Sequence, residues 1–304
     1  MKNFLVFILI LANSYSFACG FYPFGEDTRI CLFNAEIFGY ISYSGFKYSS
    51  NLFEGGSISY NSIIDDAPIS KNNLIDSNDI VWYRYCKGKV EVEAIDNAVY
   101  VISEAEINEY SKNKMIKYLY YQKDYDALNY LRFAKNCEYY NSWQDDPWER
   151  KEYLALEKRK LLFNIAIERS EKIKNTDLKR RYSFVAIRLA WYNHNFEKIT
   201  TIFNTIFKQA KQKDIIYYWS LYFKSTINKN KAEANYELAQ VFCNATDKRF
   251  TCHQYYNANI RIEQALEYCK NNTEKANVYI LYGIENPEKA LPYLKKNIPI
   301  QTFL

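Results

Sequence analysis

The fold is read from two stretches, DLKRRYSFVAIRLAWYNHNFEKITTIFNTIF at 177–207 and DIIYYWSLYFKSTINKNKAEANYELAQVF at 214–242. In the first, Phe184, Ile187 and Trp191 recur at intervals of three and four, with Tyr192 beside them. That spacing marks one face of a helix. The polar run NHN at 193–195 breaks this helix, and FEKITTIFNTIF at 196–207 begins another. In the second stretch Asp214 opens a helix carrying Ile215, Tyr218, Trp219, Tyr222 and Phe223. NKNK at 228–231 ends it, and AEANYELAQVF at 232–242 is a fourth helix. Both stretches predict helix–turn–helix pairs joined by short polar turns.

The same periodicity extends outward. From Glu91, the residues Val92, Ile95, Val99 and Ile102 recur at helical spacing. A short helix is predicted near 107–120, and another at 124–138 with Ala127, Leu131 and Ala134 on one face. A long helix at 147–174 follows, with Asp146 placed to cap it and Pro147 at its first position. Near the end of the chain, PEKALPYLKK at 287–296 predicts a short helix that Pro292 bends or ends. The apolar IPIQTFL at 298–304 lies beyond it.

Composition agrees. Among 304 residues there are only 8 glycines and 6 prolines, too few for the many turns of a sandwich or barrel. Hydrophobic residues at 48% and charged ones at 25% mark a folding chain, not a disordered one. The formal charge of +5 comes from interspersed signs without a basic arm, so nucleic acid is not an expected partner.

The first ninety residues read differently. Lys2, an apolar run at 4–12, and the small residues Ser16 and Ala18 before Cys19 form an export-signal pattern over 1–18. No later stretch predicts a membrane span. Cys19 sits where bacterial lipoproteins carry their lipid, but Ser16 and Phe17 depart from that motif, so free secretion is favoured over a lipid anchor. Residues 19–90 hold most of the glycines and many aromatics and predict an irregular, aromatic-rich region, with 80–85 open between strand and helix. The domains expected are therefore 1–18, 19–90 and a helical-repeat domain over 91–304. The fold class is mainly α, an array of helical hairpins. An oxidising compartment would permit disulfides, and Cys19–Cys31 and Cys243–Cys252 are the pairs closest in sequence. The histidines are His194 and His253 alone, and C-x-x-C does not occur, so neither a metal nor another cofactor is expected.

The hairpins also recur. Aligning NFEKI at 195–199 with NKAEA at 230–234 sets Ile199 over Ala234, 35 residues on; KDYDA at 123–127 and NPEKA at 286–290 have a similar shape. A period of about 34 residues resembles that of tetratricopeptide repeats. Their second-helix pattern of aromatic, small, large and small residues falls on Tyr125, Ala127, Leu131 and Ala134, and next on Phe196, Ile199, Phe203 and Ile206. It falls again on Lys231, Ala234, Leu238 and Val241, and on Pro287, Ala290, Leu294 and Asn297. Ile199 and Ile206 exceed the small positions, and Lys231 and Pro287 replace the aromatic. The resemblance implies a concave face that binds proteins or peptides.

The leading expectation is accordingly a non-enzymatic, exported scaffold, secreted, periplasmic or associated with an outer membrane, that binds a protein or peptide. Tyr153, Tyr192, Tyr218, Trp219 and Tyr222 are the candidate binding residues. A second expectation is glycan capture by stacking on Phe21, Tyr22, Phe24, Tyr40 and Tyr43. A third is hydrolysis by the neighbouring carboxylates Glu26 and Asp27, beside Arg29.

Overall fold

The computed structural model describes residues 77–141 and 152–297. The regular elements among them are all helices. The elements are α1 (Ser77–Tyr85), α2 (Val92–Asp96, extended by a π turn at Asn97–Val101), α3 (Lys114–Tyr121), α4 (Tyr125–Asn141) and α5 (Glu152–Lys172). Then come α6 (Thr176–Tyr192), α7 (Phe196–Ile202, with a π turn at Phe203–Phe207), α8 (Ile215–Thr226) and α9 (Lys231–Asn244). The chain continues through α10 (Arg249–Tyr255), α11 (Ile262–Leu266), α12 (Asn272–Glu285) and α13 (Pro287–Asn297).

Short polar side chains start these helices. Asn113 accepts hydrogen bonds from the backbone N–H groups of Met115 and Ile116 at 2.8 and 3.1 Å at the head of α3. Asn175 does the same for α6 and Asn230 for α9, while Asn271 accepts from the Glu274 N–H at the head of α12 and Asp214 caps α8. Each cap satisfies N–H groups that have no partner within their own helix.

A shared turn closes three of the hairpins. The backbone N–H of Gly88 reaches Tyr83 O at 2.9 Å, that of Asp124 reaches Leu119 O at 2.9 Å, and that of Asn195 reaches Ala190 O at 2.8 Å. The residue before each donor is left-handed: Lys87, Lys123 and His194 have φ of 54°, 55° and 55°. This six-residue helix ending reverses the chain in few residues. The run at 80–85, open on sequence, is therefore the end of the first helix of such a hairpin.

The hairpins α3–α4, α6–α7, α8–α9 and α12–α13 pack internally and then on one another, α4 on α6, α6 on α8 and α9 on α12. This is an all-helical, repeat-like array. Aromatic rings fill much of its core. Trp82 meets Tyr130 with centroids 5.9 Å apart, and Tyr130 meets Tyr182 edge-on at 5.0 Å. Phe184 meets Trp219 at 5.4 Å, and Trp191 meets Phe223 at 5.7 Å. Pro292 is accommodated inside α13 and does not end it. Among the described residues, no helix is long and apolar enough to cross a membrane.

The expected Cys243–Cys252 disulfide is not formed. Cys86, Cys137, Cys243, Cys252 and Cys269 are all free thiols. Cys243 ends α9 with its Sγ 3.9 Å from the carbonyl oxygen of Asn277 on α12, and Cys252 is buried on α10. Proximity in sequence does not bring two side chains on separate helices into disulfide geometry. Cys19 and Cys31 lie outside the described residues.

Candidate functional site

Helix α6 is buried almost all round from Leu178 to Ala190, and it carries two consecutive buried arginines. Arg180 is neutralised conventionally. Its Nη1 and Nη2 donate to Asp214 Oδ2 and Oδ1 at 2.8 and 2.5 Å. Arg181, only 2% exposed, meets no such partner. Its Nη1 donates to Asn78 Oδ1 at 2.8 Å, and its guanidinium lies over the Trp82 ring, 4.0 Å from the centroid. Its Nε and Nη2 have no hydrogen-bond acceptor among the described residues. Burial draws the Arg181 pKa below its ordinary value, while the Tyr130 hydroxyl, in hydrogen-bonding contact with it, and the nearby Asp214 carboxylate favour the charged form. Even so, a guanidinium keeps its proton in a protein. A buried cation without a directly paired counter-ion costs several kcal/mol, of which a desolvated cation–π contact recovers about 2 kcal/mol.

Arg181 lines a cavity of about 130 Å³. Five elements build it: α1 through Asn78 and Trp82, the π turn after α2 through Tyr100, and α4 through Tyr130, Lys135, Cys137 and Glu138. Helix α6 adds Phe184 and Arg188, and α8 adds Ile216 and Trp219. Asn78 organises the wall, since its Nδ2 donates to the Tyr100 hydroxyl at 2.9 Å while its Oδ1 receives Arg181. Tyr100 is 44% exposed and forms the solvent side. The lining has three cations, Lys135, Arg181 and Arg188, against the single carboxylate of Glu138, which pairs with Lys135 at 3.3 Å. Burial pushes the Cys137 thiol up to about 12 and raises Tyr130, so both move away from neutrality.

A second cleft, of about 310 Å³, lies between α4 and α5. Its Arg132 is engaged by Ile107 O and the Tyr120 hydroxyl, and its Arg169 lies over Phe133. The cavity at Arg181 differs in having a nearly fully buried guanidinium among its aromatic walls.

Of the aromatics singled out from sequence, Trp219 lines this cavity, and its Nε1 donates to Asp247 Oδ1 at 3.1 Å. Tyr218 is half-buried, edge-on to Tyr217 at 5.2 Å. Tyr192 is half-buried beside Trp191 with Arg159 5.9 Å above its ring. Tyr222 is in the core, against Phe223 and Tyr255. The side chain of Tyr153 lies outside the described residues, as do Glu26, Asp27 and the five aromatics of the glycan expectation. Among the described residues no cluster of His, Cys, Asp and Glu could hold a metal ion. Arg181, Asn78, Trp82 and Tyr100 were not singled out. No local signal marked Arg181, which sits in the run Lys179-Arg180-Arg181 and reads like its charged neighbours.

Comparison of the chain with protein-family models, curated proteins and solved structures finds no match. The tetratricopeptide assignment thus has no family match behind it. What stands is the coarser class, an all-helical array of hairpins with an aromatic, cationic cavity among α1, α4, α6 and α8.

Proposed function

We propose that this chain is a non-catalytic helical scaffold that binds a protein or peptide partner, and that the cavity at Arg181 receives part of that partner. The observation that carries this reading is the cavity's construction. Aromatic rings supply rigid contact area at low entropic cost, and a few fixed polar groups set orientation, the usual make-up of a recognition pocket. Acid–base catalysis calls for a group titrating near the working pH, and Cys137 and Tyr130 are shifted the other way. The export part of the reading rests on residues 1–18 alone.

The test is affinity capture with the full-length chain and with Tyr100→Ala, a substitution on the exposed side of the cavity. Reproducible enrichment of one protein, lost in Tyr100→Ala while Tyr121→Ala retains it, is the expected result. Capture unaffected by Tyr100→Ala places the partner elsewhere.

A further inference from the structure

We propose that the cleft between α4 and α5 is a second interaction surface, which takes an acidic, amphipathic peptide segment of a partner protein. It is separate from the Arg181 cavity. No residue lines both, since α4 gives Arg132 and Phe133 to the cleft but Tyr130, Lys135 and Glu138 to the cavity.

Helices α4 and α5 both pack on α6 and leave the cleft between them. Much of its lining is apolar. Phe133 and Leu162 are buried there and Ile165 is half-buried, yet Leu161 beside them stays 52% exposed. Its charge is one-sided, with Arg132, Lys158 and Arg169 against the single carboxylate of Glu104. Among the described residues none of these three cations is in an ion pair. Arg132 donates from Nε to Ile107 O at 2.9 Å, from Nη1 to Asn129 Oδ1 at 3.2 Å and from Nη2 to the Tyr120 hydroxyl at 2.6 Å. All three acceptors are neutral, so they hold the guanidinium in place and leave its charge uncompensated. Arg169 rests 4.8 Å from the centre of the Phe133 ring, a contact that steadies it without neutralising it. Lys158 and Arg169 are about 16 Å apart along α5, the length of roughly three helical turns of a bound segment. An amphipathic helix lays its apolar side into such a groove, and acidic residues on its flanks would meet the cations. Nucleic acid or a sulfated glycan matches the cations but not the apolar lining.

The experiment selects peptides from a random phage-displayed library on the full-length chain. The consensus peptide is then titrated by fluorescence anisotropy beside a copy in which every Asp and Glu is replaced by Asn and Gln. The selected peptides are expected to combine Asp or Glu with Leu, Ile or Phe at helical spacing. The amide copy is expected to bind about tenfold or more weakly, because it cannot form charge-assisted pairs. Lys158→Glu and Leu161→Ser alter exposed side chains and spare the core. Each is expected to weaken the acidic peptide about five- to tenfold. Lys160→Glu makes the same charge change at an exposed position of α5 outside the cleft lining, and is expected to stay within about twofold of wild type. Selection without acidic enrichment, equal binding of the amide copy, or equal losses in Lys158→Glu and Lys160→Glu would overturn the proposal. So would tighter, Lys158-dependent binding of heparin or a DNA oligonucleotide. The selection and the amide comparison use wild-type protein, so they decide even if a variant misfolds. If the peptide is lost in Tyr100→Ala but kept in Lys158→Glu, it seats in the Arg181 cavity; the cleft assignment falls and the scaffold reading stands. If the peptide binds in the cleft while Tyr100→Ala still captures the partner, the cleft stands and the cavity reading falls.

Discussion

Arg180 and Arg181 are consecutive on α6 and both buried, yet only Arg180 closes on a carboxylate, Asp214, while Arg181 lies 4.0 Å from the centre of the Trp82 ring. The two substitutions should therefore behave oppositely. Arg180→Met leaves Asp214 buried without its cation and is expected to cost about 3–5 kcal/mol of stability. Arg181→Met removes a charge that no carboxylate contacts in a direct ion pair and is expected to fall within about 1 kcal/mol of wild type, or to stabilise. Urea unfolding of both variants measures this. Equal, large losses contradict the assignment of Arg181 as lacking a direct ion pair.

Trp82 is fully buried on α1, supports the Arg181 face and meets Tyr85 and Tyr130. Trp82→Ala is expected to cost about 3–5 kcal/mol through the cavity it leaves. A cost under about 1 kcal/mol, by thermal or urea unfolding, shows that α1 is not part of the core.

Glu237 gives a pH dependence with a definite sign. It is buried on α9, with Lys224 in contact and Asn228 Nδ2 donating at 3.2 Å. Burial pushes its carboxyl up to about 7 from an ordinary 4.5, against the opposing pull of Lys224. The folded chain then holds this proton more tightly than the unfolded one. The stabilisation is complete below pH 4.5 and is lost as pH rises through 7. Relative to Glu237→Gln, wild type is expected to lose up to about 3 kcal/mol of stability across that window. A difference that stays flat from acid to neutral pH refutes it.

The five described thiols should be slow to react. Burial pushes Cys86, Cys137 and Cys243 up to about 12 and Cys269 up to about 11. The thiolate is the reactive form, so little of it exists at pH 8. Iodoacetamide is expected to label half-buried Cys269 before buried Cys86, Cys137 and Cys252. After unfolding without reductant, all five should alkylate once. A Cys243–Cys252 cross-linked peptide in the mass spectrum contradicts the free-thiol assignment.

The hairpins were legible because their signals are local. Helical spacing at 177–192, the polar break at 193–195 and the opening of α8 after Asp214 all lie within a few residues of the structure they specify. The site was not legible for the opposite reason. Asn78 and Arg181 are 103 residues apart, and only packing of α1 beside α6 joins them. Interspersed charges normally mark a solvated face, so an arginine on a largely buried helix reads like any other until its neighbours are placed. Tyr222 illustrates the same limit: helical spacing put it with the candidate binding aromatics, but only packing places it in the core and Trp219 on the cavity wall. The disulfide expectation failed because closeness in sequence carries no information on the direction of a sulfur atom.

The most direct test of the central claim places a photo-crosslinking residue at position 100, and at position 121 as a control remote from the cavity lining, in the full-length chain. If the cavity is the recognition site, one partner should crosslink from position 100 and not from position 121. Equal crosslinking from both positions, or none from position 100, would contradict the claim.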